Sequence, residues 1–280
     1  MAFSPFSLYT RMSIGTAAAF MVAGCAAGCG ERPPDTDRAA QHLPLGSPSL
    51  APPVRGLNLL VVGDSWARNL GIGVADADRN RRNVVINAGE GGCGLMQPAQ
   101  IRARGKLLAA PPACNTWPQR WRDLVAKYHP SAVLLEVGYW DGQDSQRLPG
   151  EEGVSSIVEP VFRERFDAQI DRAVHILSTG GARVYVPTVI DNEGAARENS
   201  DAMNVALRAA PSRNSQARLL DLHDQLCSSE KVCPAEINGI RVYDETGHPS
   251  VPARDRLGAW ILNSIYTDLH GRNSLRTNNQ

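Results

Sequence analysis

Lysine is nearly missing from this chain: of 29 basic residues, only Lys106, Lys127 and Lys231 are lysine. Neither charge is in surplus, because Asp and Glu also total 29. A protein that grips phosphate backbones needs a cationic excess to displace counterions, so nucleic acid is not an expected partner. The same balance favours an uncharged partner or substrate. Long apolar runs are missing too. None approaches the ~20 residues that cross a bilayer, which argues against a membrane-embedded enzyme. Aromatic residues make up only 6% of the 280 positions, yet 42% are hydrophobic, enough to form a core. No internal repeat divides the chain.

What is present at the start is an address. Arg11 precedes an uncharged stretch, residues 12–24, that closes on Val22-Ala23-Gly24-Cys25. A cation, a short apolar segment and small residues before a cleavage point make a secretory signal. The last four residues resemble the lipobox of bacterial lipoproteins, whose cysteine is lipidated and begins the mature chain; Ala26-Ala27-Gly28-Cys29 is a weaker copy. Residues 1–24 are expected to be a signal peptide. Residues 25–56, rich in proline from Pro33 to Pro53, are expected to be a lipidated Cys25 and a tether. The exported protein would then sit on the outer face of the cytoplasmic membrane or in the cell envelope, held to a membrane surface by its lipid; without the lipid it would be secreted.

Four cysteines remain: Cys93, Cys114, Cys227 and Cys233. An oxidising compartment favours disulfides, and sequence neighbours close the shortest loops, so Cys93–Cys114 and Cys227–Cys233 are the favoured pairs. A zinc site lacks a C-x-x-C spacing and a nearby His pair, and no metal or other cofactor is expected.

Five short apolar runs fit strands buried on both faces: 57–62, 83–88, 132–137, 182–189 and 218–222. Between them, residues 117–128, 160–178, 195–209 and 252–269 carry helical spacing or helix-forming composition. The alternation predicts an α/β domain over 57–269, with a parallel sheet of about five strands. Residues 270–280 read as a polar tail.

Chemistry-bearing residues cluster where strands end. Gly63-Asp64-Ser65-Trp66 follows the first run; a glycine permits a sharp turn that exposes the hydroxyl at a helix start. Asn87-Ala88-Gly89-Glu90-Gly91-Gly92 follows the second, and the Gly92 N–H could donate to an oxyanion. Gly138-Tyr139-Trp140-Asp141 follows the third and suggests a site wall. Tyr243-Asp244-Glu245-Thr246-Gly247-His248 puts two acids and a histidine in one loop, a base with its orienter. Elimination favours His248 as the base. His42 lies in the tether, His270 in the tail, His129 at the wrong end of a strand and His175 within a helix. His223 is the remaining rival.

Together these blocks resemble the SGNH hydrolases, the GDSL-like esterases and lipases, over roughly residues 57–269. The resemblance implies a three-layer, flavodoxin-like α/β/α sandwich with Ser65 as nucleophile, His248 as base, and Asp244 or Glu245 as orienter. It implies an oxyanion hole from the N–H groups of Ser65 and Gly92. Two departures stand out. Trp140 replaces the family's third-block asparagine, and Asp244 lies four residues before His248 where the family has three. Trp66, Tyr139, Trp140 and Asp141 are expected to contact substrate. The tryptophan, the Gly-Gly-Cys-Gly turn and the paired cysteines are similar to SGNH domains attached to acyltransferases of cell-surface glycans, although here a lipobox and tether stand in place of the membrane part. A serine ester hydrolase or O-acyltransferase acting on short acyl esters of envelope glycans follows. The alternative is a degenerate glycan-binding lipoprotein using Trp66, Tyr139 and Trp140 as an aromatic platform.

Overall fold

The computed structural model describes residues 56–78, 83–103, 106–143, 146–190, 197–227 and 233–277. The signal segment, Cys25, Cys29 and most of the tether lie outside them. Strand β1 (Asn58–Gly63) leads into helix α1 (Ser65–Ala77), then β2 (Val84–Asn87). Strands β3 (Gln100–Ala103) and β4 (Lys106–Ala109) precede α2 (Trp117–Tyr128) and β5 (Ala132–Glu136). Next come α3 (Tyr139–Gln143), β6 (Gln146–Arg147), α4 (Pro160–Leu177) and β7 (Arg183–Pro187). The chain continues through α5 (Arg197–Arg213), β8 (Ala217–Leu220) and α6 (Leu222–Cys227). It ends with a small hairpin, β9 (Glu236–Ile237) and β10 (Ile240–Arg241), and the long α7 (Val251–Thr277).

Five strands form one parallel sheet in the order β2-β1-β5-β7-β8. Leu59, Leu60, Val61 and Val62 of β1 and Ala132, Val133, Leu134 and Leu135 of β5 have no exposed surface, because both sheet faces are covered by helices. The edge strand β2 is less apolar in its setting: Val84 is 58% exposed. The α/β/α layering expected from the sequence is what the chain forms. Helix α1 packs along α7, while α4 packs against α2 and α5. The α1–α7 approach needs glycine. A Cβ on Gly258 would lie 2.1 Å from the carbonyl carbon of Gly73, so the two backbones touch. That contact fixes where α7, and the loop before it, stand relative to the start of α1.

Two features depart from expectation. A second, antiparallel sheet, β4-β3-β6, lies outside the five apolar runs. Its strands are two to four residues long, mix polar and apolar residues, and in β4 are largely exposed, so no buried run announces them. Helix α7 continues to Thr277, through most of the segment read as a polar tail. Between Leu269 and Thr277 the weakest helix former is Gly271, costing about 1 kcal/mol, and no proline stops the helix. Among the described residues, no helix is long and apolar enough to cross a membrane.

Candidate active site

The chain runs from β1 to β2 on one side, then crosses to β5 on the other. The crevice between the carboxyl ends of β1 and β5 is therefore the topological switch point, where open α/β sheets place ligands. Ser65 stands there as the first residue of α1. The turn is forced by close packing. Gly63 has φ +133, and a Cβ on it would lie 1.6 Å from the Glu136 carbonyl oxygen of the neighbouring strand. Asp64 then caps α1, its Oδ1 accepting the Trp66 N–H at 2.7 Å. The Ser65 N–H is one of those an α-helix leaves without an intrahelical partner, at the positive end of the helix dipole.

The histidine expected as base arrives from the opposite end of the sequence. The Ser65 hydroxyl lies 2.8 Å from His248 Nε2. The loop bearing His248 is closed on itself. The Asp244 N–H donates to the His248 carbonyl at 2.7 Å, and the His248 N–H donates to Asp244 Oδ1 at 3.1 Å. Trp66 Nε1 donates to the Gly247 carbonyl at 3.2 Å, tying this loop to the helix that carries the serine. His223, the rival, lies on α6, where its N–H donates to Thr188 Oγ1. It forms a metal-like trio with Cys227 and Cys233, but a disulfide joins the two sulfurs.

The ring's other nitrogen meets neither acid proposed as orienter. His248 Nδ1 lies 2.7 Å from Thr246 Oγ1, and Thr246 Oγ1 lies 2.6 Å from Asp244 Oδ1. The one extra residue between acid and histidine is thus filled by a threonine hydroxyl. Sequence reasoning missed Thr246; the four-residue spacing was the available signal. Slight burial raises the Asp244 carboxyl, but hydrogen bonds from the Thr246 hydroxyl and amide and from the His248 amide outweigh it and hold it below its ordinary value. Glu245 is exposed and lines a 290 Å³ groove with Ala235, Arg241, Tyr243, Asp244 and Gly247.

Gly92, the other expected oxyanion donor, adopts a left-handed φ of +78. Its loop is anchored twice: the Glu90 N–H donates to the Gly63 carbonyl at 2.8 Å, and Cys93 is bridged to Cys114 with their Cα atoms 4.9 Å apart. The second bridge joins Cys227 to Cys233.

Three residues expected to touch substrate serve the interior instead. Trp66 and Tyr139 are 2% and 7% exposed and stack on each other, ring centroids 4.1 Å apart, so they offer no open platform to a sugar. The Tyr139 hydroxyl accepts the Ile190 N–H. Asp141 is 1% exposed, and its carboxylate accepts the N–H groups of Leu95 and Met96. The block-three acid thus braces the segment just after Gly92. Trp140 is half-buried.

Beneath Ser65, two acids share the core. Burial raises both Asp64 and Glu136, and the negative charge of Asp64 pushes Glu136 higher still, well above the ordinary carboxylate range. A hydrogen bond with Glu136 and the backbone amides of Trp66, Trp140 and Ala67 offset part of the cost at Asp64.

The family model described as protein of unknown function DUF459 matches residues 58–236, more than half of the chain. Among curated proteins, none matches. The periplasmic domain of a lipopolysaccharide acetyltransferase from Salmonella ser. Paratyphi A is 16% identical, covering 76% of this chain and 85% of its own, with a TM-score of 0.51. The psychrotrophic esterase EstA from Pseudoalteromonas sp. is 16% identical over 76% of this chain and 98% of its own, TM-score 0.48. TesA is 18% identical over 75% of this chain and 99% of its own, TM-score 0.47. The fold is that of the SGNH hydrolases.

Proposed function

The chain belongs to the DUF459 family, described without a function, and from that premise we propose that it is an exported serine esterase or O-acyltransferase of the SGNH type. The observation that carries this reading is the 2.8 Å contact between Ser65 Oγ and His248 Nε2 at the switch point of the sheet. A hydroxyl is a weak nucleophile until a base within hydrogen-bond reach takes its proton. Ser65 attacks the ester carbonyl while His248 Nε2 receives the proton. The oxyanion forms at the N-terminus of α1, within reach of the Ser65 N–H, with the Gly92 N–H as second donor. The intermediate collapses, His248 returns the proton to the leaving alcohol, and an acyl-Ser65 ester remains. An incoming hydroxyl then loses its proton to His248 and takes the acyl group, and His248 hands that proton to the departing Ser65 Oγ. Water makes the protein an esterase; a sugar hydroxyl makes it an acyltransferase.

No third-block asparagine assists, because Trp140 holds that place. Loss of one oxyanion donor typically lowers the rate by ~10²–10³, so slow turnover is expected. Short acyl esters of envelope glycans are the proposed substrates. The acetyltransferase domain that shares the fold supports this choice. Two disulfides suit an oxidising space outside the cytoplasm, and Cys25 is the proposed lipid site that holds the domain at a membrane surface.

The test is hydrolysis of p-nitrophenyl acetate by the full chain and by Ser65→Ala, together with labelling by a fluorophosphonate. Turnover and labelling in the parent, both abolished in the variant, are expected. Equal turnover in both proteins would falsify the serine mechanism. Acetate release from envelope glycans, compared with transfer to an added sugar, then separates esterase from transferase.

A further inference from the structure

The geometry points to Thr246 as a positioning residue that links His248 to Asp244 and selects the ring tautomer able to accept a proton from Ser65. The inference rests on the serine mechanism above and concerns the same site. It follows from counting protons along four groups in line. Asp244, ionised, can only accept hydrogen bonds. Its Oδ1 is 2.6 Å from Thr246 Oγ1, so the single threonine hydroxyl proton must point to Asp244. Thr246 Oγ1 then has only lone pairs to offer His248 Nδ1, 2.7 Å away, and Nδ1 must carry the ring's proton. In a neutral imidazole the other nitrogen is left without one. Nε2, 2.8 Å from Ser65 Oγ, is therefore the acceptor, as a general base requires.

Thr246 also connects by its backbone, since its N–H donates to the same Asp244 oxygen at 2.8 Å. A hydroxyl held at both ends cannot rotate to donate to the ring, which would put the proton on Nε2 and block catalysis. When His248 becomes imidazolium, the same line carries its Nδ1–H toward the carboxylate. The one-residue extension of the acid–histidine spacing is thus compensated by a side chain of the loop itself.

The test measures kcat and KM for p-nitrophenyl acetate in Thr246→Val, Thr246→Ser, Asp244→Asn and the Thr246→Val/Asp244→Asn pair, with Ser65→Ala as control. Thr246→Val should lower kcat on the order of 10- to 100-fold, the effect of one hydrogen bond to a charging group, while KM stays within about 2-fold. Thr246→Ser keeps the hydroxyl and should restore most of the rate. Asp244→Asn should slow the parent, yet cost less than about 3-fold further in the Thr246→Val background, because the acid acts through the threonine. Thermal melting checks folding, and Thr246→Ala replaces the valine variant if that variant melts early. Parental kcat in Thr246→Val, or additive losses in the pair, overturns the relay while leaving the serine mechanism standing. Undiminished turnover in Ser65→Ala removes that mechanism and the relay with it.

Discussion

Asp141 offers a measurable consequence of placing a carboxylate inside the domain. It is 1% exposed, with Oδ2 accepting the Leu95 N–H at 2.6 Å and Oδ1 the Met96 N–H at 2.9 Å. Burial pushes its pKa from 3.8 up to about 6 against the pull of those two amides, and the charge of Asp64 adds to the rise. A folded-state value above the unfolded one means that the native state binds the proton more tightly. The stability this group contributes is fully present below about pH 4 and is lost as pH rises through about 6. A difference of about 2 units corresponds to about 3 kcal/mol. Asp141→Asn does not titrate. Asparagine accepts one of the two amides and leaves the other facing its own NH₂, a fixed cost of roughly 1–3 kcal/mol at any pH. Urea unfolding followed by the buried tryptophans should find the parent more stable at pH 4. The parent's advantage over Asp141→Asn should shrink by about 3 kcal/mol between pH 4 and pH 8, with unchanged slopes. An advantage that stays level, or that grows with pH, would refute the assignment of that carboxylate.

Two further perturbations test how the site is held. Gly63→Ala forces a Cβ to within 1.6 Å of the Glu136 carbonyl oxygen at a left-handed φ; a loss of more than about 4 kcal/mol, or failure to fold, is expected, and near-parental melting would contradict the tight β1–β5 crossing. Replacing Cys93 and Cys114 together by serine releases a crosslink of sequence separation 21, worth about 3 kcal/mol on the loop-entropy model, so the denaturation midpoint should fall and turnover should drop as the Gly92 loop loses an anchor. Unchanged stability and turnover would show that the bridge constrains neither the unfolded chain nor the loop.

Much of the fold was legible because its strands are buried on both faces. Residues 57–62 and 132–137 had to be apolar throughout, and that demand shows as continuous runs with the helices spaced between them. Short β3, β4 and β6, not buried on both faces, carried no such demand and left no trace. The site divides in the same way. Local order along the chain placed Ser65 at a helix start, Gly92 in a glycine-rich turn and His248 in an acid-bearing loop, and sequence proximity suggested both disulfides.

Orientation was a different matter, because it depends on partners far along the chain. Trp66 turns inward to stack on Tyr139, 73 positions away, and Asp141 reaches back to amides 45 and 46 positions earlier. Neither arrangement has a local signature, so residues flanking the blocks read as substrate contacts when they are braces. Thr246 differs again: it lies inside a block already singled out, but only the closed loop shows that its hydroxyl stands between acid and ring. Residue identity by itself determined which chemistry the chain holds and at which strand ends. The packing of α1 against α7, with Gly73 touching Gly258, decided which of those side chains meet, because it brings Ser65 and His248, 183 residues apart, within 2.8 Å.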